Sequence, residues 1–158
     1  MNAFAMHTLI ALVWLFLSGN TTLGGLMIGW IAGYALLAAF QRALRCESYV
    51  RRVRGFAAFV IRFAGELTVS SLRMAVLALR PNAGKLKGEF VRYHVEGLST
   101  FEVLLLSHCI SLTPGTTTVN QSEDNKALVL HAFPADESDE LQRHIDRTLK
   151  AWILAFTR

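Results

Sequence analysis

Two long apolar runs near the start of the chain constrain its fold most strongly. The first extends from Ala3 to Leu17 and is interrupted only by His7 and Thr8, and the second, Leu23 to Phe40, has no charged residue. Each run is slightly shorter than the ~20 residues that a membrane-spanning helix usually needs. The segment Ser18–Thr22 between them is rich in turn-forming residues. With their flanks included, the runs predict a tight transmembrane helical hairpin.

The charge distribution separates a basic front half from a mildly acidic back half. Residues 1–80 contain eight arginines and two acidic residues, whereas residues 81–158 contain eight basic and ten acidic residues. Five of the arginines lie in the segment Gln41–Arg54, opposed only by Glu47. Short basic loops stay on the cytoplasmic side of a membrane. Residues 1–54 therefore predict a hairpin and a basic cytoplasmic loop, with the N-terminus also cytoplasmic. No aromatic residues alternate with the basic ones, which argues against nucleic acid as a partner.

Three glycines in the second apolar run share one helix face. Gly25, Gly29 and Gly33 are spaced four residues apart. Small residues at this spacing let another helix approach closely. We expect this face to be a packing groove, either for the first helix of the hairpin or for a different protein.

The next segment, residues 55–80, predicts a long amphipathic helix. Its charged residues fall in one narrow stripe at 100° per residue, and they are Arg62, Glu66, Arg73 and Arg80. Such a helix can lie in the membrane interface with the stripe facing water, or span the bilayer with the stripe buried against a partner. We favour the interfacial position. Arg62 and Glu66, four residues apart, can form an ion pair. Pro81 and Gly84 should end the helix.

Residues 81–158 predict a small cytoplasmic α+β domain with the order β-α-β-β-α. Strands are expected at Glu89–Val95, Thr117–Asn120 and Lys126–Phe133, the last two joined by a turn. Ser99 should cap a helix that runs to Leu112, and Asp136 or Ser138 should cap the C-terminal helix.

The sequence contains no constellation typical of an enzyme. It lacks a Gly-rich phosphate loop and a nucleophile elbow, and its two cysteines and five histidines are scattered. Neighbouring His108 and Cys109 would point about 100° apart on a helix and cannot form a nucleophile–base pair by themselves. We therefore expect no catalytic residue, cofactor or metal.

The segment Leu112–Thr116, with the sequence Leu-Thr-Pro-Gly-Thr, carries the most specific signal. Pro114 and Gly115 suit a helix-to-strand reversal, and Thr113 and Thr116 can bond the freed backbone groups. A ligand or partner site in this loop is the other interpretation.

With its surroundings, this string resembles the E subunit of the Mrp-type multisubunit cation/proton antiporters, also called Mnh or Pha. The resemblance extends over nearly the whole chain, and its further elements are Ala11–Phe16 with the Gly-rich run behind it, Glu66-Leu67, Ser70–Leu72, Leu79–Pro81 and Leu128–Ala132. The pair His108-Cys109 departs from the small or amide residues more usual at that place in the family, which leaves any polar role there open.

The resemblance implies an accessory, multi-pass subunit of the bacterial inner membrane. Other, larger subunits of the complex would carry the ion pathways that exchange sodium or potassium for protons. This chain would contact those subunits and the lipid bilayer, and it would support assembly without forming the ion path. The alternative is a membrane-anchored cytoplasmic binding or regulatory module that acts outside any transporter.

Overall fold

The computed structural model describes residues 2–81, 86–134 and 138–158. The helices are α1 (Ala3–Ser18), α2 (Leu23–Ala39), α3 (Glu47–Ala78), α4 (Thr100–Leu112), α5 (Ser138–Ile145) and α6 (Ala151–Thr157), and the strands are β1 (Glu89–His94), β2 (Thr116–Gln121) and β3 (Ala127–Ala132). The chain forms two compact units, Met1–Arg54 and Gly55–Arg158, and the boundary between them falls within α3. A helical N-terminal part followed by a small α+β domain is therefore the observed architecture, as predicted.

In the first unit, α1 and α2 form an antiparallel hairpin with defined caps. The Asn2 side chain caps α1, Gly19 ends it in a left-handed conformation, and the Thr22 hydroxyl accepts the Gly25 N–H at the start of α2. These caps satisfy backbone groups that a helix leaves unpaired at its ends. The short polar connection predicted between the two apolar runs is thus a stable turn.

The predicted basic loop Gln41–Arg54 is wrong in its second half. The backbone turns only through residue 45, and α3 begins at Glu47, so that Arg51, Arg52 and Arg54 are helical. Arginine favours helices, and Glu47 in the first turn complements the helix dipole. No Pro or Gly stands between Glu47 and Gly55 to prevent the helix from starting early.

In the second unit, a three-stranded antiparallel sheet has the order β1-β3-β2. The central strand, β3, is the most apolar, with Leu128 and Leu130 almost fully buried. Side chains from α3, α4 and the C-terminal helices cover one face of the sheet, including Phe59, Leu106 and Ile153. The predicted order β-α-β-β-α and the packing of helices on one face therefore describe this unit.

The C-terminal helix differs from the prediction in one detail. A π-helical stretch, Asp146–Lys150, connects α5 to α6. The predicted cap Asp136 lies outside the described residues, as does the side chain of Ser138, the first residue of α5. Gly84, predicted to follow the end of the long helix, also lies outside them, whereas α3 ends at Ala78, shortly before Pro81.

Candidate functional site

Threonine side chains stabilise the loop between α4 and β2 through hydrogen bonds to the backbone. The Thr113 hydroxyl donates to the Cys109 carbonyl at 2.9 Å, and the Thr116 hydroxyl donates to the Ile110 carbonyl at 2.9 Å. Both carbonyls belong to the last turn of α4, where a helix leaves carbonyls without intrahelical partners. The predicted structural role of the flanking threonines is therefore observed.

Gly115 is required in this loop for two reasons. Its φ of +100° is a conformation that residues with a side chain rarely adopt. A Cβ atom at this position would also lie 2.7 Å from Met74 Cε and 2.7 Å from the Phe133 carbonyl oxygen. The Phe133 N–H in turn donates to the Gly115 carbonyl at 2.7 Å. The loop is thus held tightly against both α3 and the end of β3.

Glu66 of the charged stripe pairs with a residue from the far end of the chain. Its Oε1 lies 3.1 Å from His144 Nε2 on α5 and accepts a hydrogen bond from the Ser70 hydroxyl at 3.4 Å. The predicted partner Arg62 is therefore not the one observed. Tertiary packing of α5 on α3 brings the imidazole to the carboxylate, a contact that helical spacing alone cannot indicate.

The stripe and the loop, predicted separately, line the same cleft. This cleft has a volume of about 560 Å³, and its walls come from α3, the loop after α4, the end of β3 and α5. The predicted residues in its lining are Glu66, Arg73, Arg80, Thr113, Pro114, Gly115 and Thr116. Arg62 and Leu112 are not among the lining residues, and both are exposed.

Over residues 55–79, α3 and the residue that follows it have one face on the domain and one apolar face outward. Phe59, Phe63 and Met74 point toward the other elements of the unit, together with Glu66 and Ser70. The opposite face has no charged residue, and its large exposed side chains are Val60, Ile61, Val69, Leu72, Val76 and Leu79. The charged stripe therefore borders the packed face, and the described residues of this chain leave a long apolar surface of α3 exposed.

The glycine groove of α2 faces α1. A Cβ atom on Gly29 would lie 2.9 Å from the Ala11 carbonyl oxygen, and one on Gly33 would lie 3.0 Å from the His7 ring. At Gly25 the nearest atom is the carbonyl oxygen of Asn20, in the connecting turn. Of the two occupants considered from the sequence, the structure places the first helix in the groove.

His7 is a site residue that sequence reasoning missed. It is fully buried, and its ring nitrogens contact the Tyr49 hydroxyl at 2.6 Å and the Trp30 carbonyl oxygen at 2.8 Å. It therefore connects α1, α2 and the first turn of α3 within one unit. The available signal was the histidine itself, because an imidazole in an apolar helix must find polar partners.

Glu102 is a second residue that sequence reasoning missed. Its buried carboxylate bonds Arg158 at the C-terminus, the Ser99 N–H and the Thr157 hydroxyl. These bonds, led by the one from Arg158, lower the pKa of Glu102 to about 2. With the Ser99 hydroxyl accepting the Glu102 N–H, they form a capping box, so that Ser99 caps α4 as predicted.

His108 and Cys109 do not combine into a reactive pair. The His108 Nδ1 atom contacts the Leu104 carbonyl at 2.7 Å on the exposed side of α4. Cys109 belongs to the core, and burial raises the pKa of its thiol to about 11. A thiol with this pKa is a poor nucleophile at neutral pH. Within residues 2–81, 86–134 and 138–158, the structure contains no group of three or more potential metal ligands.

Sequence comparison finds one family over nearly the whole chain. The family model described as "Na+/H+ ion antiporter subunit" matches residues 7–156. The chain is 29% identical to the E1 subunit of a Na(+)/H(+) antiporter of Staphylococcus haemolyticus, over 92% of this chain and 91% of that protein. It is 28% identical to the E subunit of a Na(+)/H(+) antiporter of Alkalihalophilus pseudofirmus, over 97% and 96% of the two chains.

Comparison with solved structures finds similar chains in two membrane complexes. One is in an archaeal respiratory complex, the membrane-bound sulfane sulfur reductase, with a TM-score of 0.56, 19% identity and 96% of both chains covered. The other is in the Mrp complex of a Dietzia species, with a TM-score of 0.48 and 28% identity over 65% of this chain and 96% of that chain. The first similarity supports the fold described above.

Proposed function

Because the chain belongs to the E-subunit family of Na+/H+ antiporters, we propose that it is an accessory subunit of a multisubunit monovalent cation/proton antiporter. In this role it supports assembly of the complex and does not form the ion path. Its partners are the other subunits of such a complex and the lipid bilayer. The family match extends over residues 7–156 of this chain.

The positions of the ionisable groups support the proposal that this chain does not form the ion path. The apolar helices α1 and α2 contain no Asp, Glu, Lys or Arg, and their buried His7 has both ring nitrogens in contact with protein groups. Glu66 contacts His144 and Ser70 within the α+β unit. Proton transfer across a bilayer usually requires a series of ionisable groups. These groups are arranged to hold helices together.

The packing of α3 supports an interfacial position for this helix. By length and composition α3 is the one described helix that meets the criteria for a membrane span. However, its inner face packs along the α+β unit, whose surface includes Arg92, Glu96 and Lys126. A spanning α3 would bring these charges into hydrocarbon at high cost. At the bilayer surface, the outer apolar face can contact lipid while the domain stays in water.

The resulting topology has α1 and α2 crossing the inner membrane, with the N-terminus and the α+β domain in the cytoplasm. The arginines from Arg42 to Arg54 favour this orientation. Position 124 lies in the exposed β2–β3 turn and suits a test. In a background without Cys46 and Cys109, Asp124→Cys should resist an impermeant thiol reagent added to intact cells and react after permeabilisation. Labelling in intact cells would mean that α3 crosses the membrane.

The role itself can be tested by comparing deletion with substitution of Glu66. Deletion of the chain should abolish exchange through loss of the complex, whereas Glu66→Gln should retain appreciable exchange wherever the complex assembles. Exchange is measured by dye quenching in everted vesicles, and subunit content on blue-native gels. Arg62→Gln is the matched control, since Arg62 is on the same stripe but outside the cleft. An intact complex that carries Glu66→Gln and shows no exchange would refute the accessory role.

The cleft supports one alternative function, that of a membrane-anchored binding module, which can be tested. A cavity of about 560 Å³ is within the size range of ligand sites, as a membrane-anchored binding module would need. Copurification separates the two functions. The proposed role requires stoichiometric recovery with large multi-spanning subunits, and recovery of this chain alone from a membrane that contains those subunits would favour the binding module.

A further inference from the structure

The cleft has an apolar wall that continues onto the outer surface of α3. Val69, Leu72 and Val76 line the cleft, and each is also about half exposed or more, at 48%, 66% and 49%. The cleft therefore opens along the same apolar face that is uncovered in this chain. A hydrocarbon chain lying on that face would contact the rim of the cleft through Val69, Leu72 and Val76, beside the charged stripe.

Among the described residues that line the cleft, two arginines and one carboxylate leave an excess of positive charge. Arg73 lies on α3 and Arg80 lies two residues beyond its end, and both line the cleft and are exposed. Among residues 2–81, 86–134 and 138–158, the ion pairs found include none for either arginine. Glu66, the one acidic residue among the described lining residues, is paired with His144. The guanidinium groups are thus available to a ligand with negative charge.

From this combination we propose that the cleft binds an anionic phospholipid. The phosphate contacts Arg73 and Arg80, and one acyl chain lies along Val69, Leu72 and Val76 into the cleft. Arginine is well suited to phosphate because its planar group can donate two parallel hydrogen bonds. An amphipathic ligand matches both halves of the lining, whereas a free anion would leave the apolar half without a partner.

The proposal rests on the interfacial position of α3, which would bring the cleft to the level of the lipid headgroups. Juxtamembrane arginines are attracted to an anionic membrane surface. Such a lipid would link the α+β unit to the cytoplasmic leaflet through a defined site. Nonspecific attraction alone would not require a cavity.

Photo-crosslinking can distinguish this site from general lipid contact. The full chain is placed in phosphatidylcholine nanodiscs with a small share of phosphatidylglycerol that carries a photoactivatable acyl chain, and cross-linked peptides are mapped by mass spectrometry. We expect cross-links at the cleft residues Leu72 to Leu77. Arg73→Gln combined with Arg80→Gln should reduce them about tenfold or more relative to cross-links on α1 and α2. Arg62→Gln, on the same stripe but outside the cleft, should leave them unchanged.

Three results would overturn the proposal. Equal cross-linking by photoactivatable phosphatidylcholine would mean that the arginines do not select charge. Loss of the cross-links in millimolar inorganic phosphate would indicate a site for free anions. In the purified complex, cross-links from a photoreactive residue at Val76 to another subunit, in place of lipid, would identify the cleft as a protein-binding groove.

Two controls distinguish a failure of the lipid site from a failure of the proposed accessory role. Hydrogen exchange of the β3 peptide checks that the double variant is folded. Blue-native gels measure assembly independently of lipid. Normal assembly without cross-links in the cleft would refute the lipid site and remain consistent with the accessory role. Cross-links in the cleft without assembly would support the lipid site and contradict the accessory role.

Discussion

Replacing Gly115 by Ala should strongly destabilise the α+β unit. The left-handed backbone conformation alone costs about 1–2 kcal/mol for a residue with a Cβ atom. The added atom would also lie 2.7 Å from the Phe133 carbonyl oxygen. This oxygen cannot move freely, because the N–H of the same residue donates a hydrogen bond to the Gly115 carbonyl. Overpacking of this kind costs roughly a further 1–3 kcal/mol. Together the two terms give a loss of about 2–5 kcal/mol in the free energy of unfolding, with a midpoint of about 3.5 kcal/mol.

Gly97 provides the matched control. It also has a positive φ, +78°, but a Cβ atom there would have no neighbour within 4 Å. Gly97→Ala should therefore cost only the backbone part, about 1–2 kcal/mol. Amide exchange of the β3 peptide, followed by mass spectrometry on the full chain in detergent, measures both variants. The expected acceleration is about tenfold for Gly97→Ala and roughly 10²- to 10³-fold for Gly115→Ala.

Equal exchange in the two variants would contradict this reasoning. It would mean that the loop rearranges to accommodate the new methyl group and that the close contact with Phe133 does not reduce stability. Removing the other neighbour, by Met74→Ala, should recover only part of the loss in Gly115→Ala, because the contact with the backbone oxygen remains. Full recovery would assign the effect to Met74 instead.

Two further predictions concern the two units separately. Gly29→Leu should lower the yield of assembled complex on blue-native gels, because the added side chain would force α1 away from α2. Gly24→Leu is the control and should not lower the yield, since the nearest atom to a Cβ at Gly24 is Thr22 Oγ1 at 3.8 Å. Equal yields would mean that the glycine groove does not contribute to assembly. Glu102→Gln should reduce stability at pH 7 by about 2 kcal/mol, since it removes a charged hydrogen-bonding group. Because the pKa of Glu102 is lowered from 4.5 to about 2, its contribution is complete above pH ~4.5 and is lost as the pH falls toward 2. Denaturant unfolding at several pH values checks this, and a constant difference between the two proteins down to pH 2 would contradict it.

Local chemistry determined much of the fold directly from the sequence. The two uncharged apolar runs, the Ser99 cap and the apolar segment Lys126–Phe133 each depend on residues close together in the chain, so their elements are found within a residue or two of the predicted bounds. The same holds for the threonines around Pro114, whose partners lie in the preceding turn of α4. The prediction failed at Glu47, where a charged segment expected to be a loop is helical.

The functional surfaces depended on contacts that only the tertiary structure decided. The partner of Glu66 is 78 residues away, that of His7 is 42 away, and that of Glu102 is 56 away. Residue spacing along one helix predicts which side chains share a face, but not which other element covers that face. The sequence thus identified the charged stripe and the Leu112–Thr116 loop as separate features. Packing of α5 and β3 against α3 was needed to join them in one cleft.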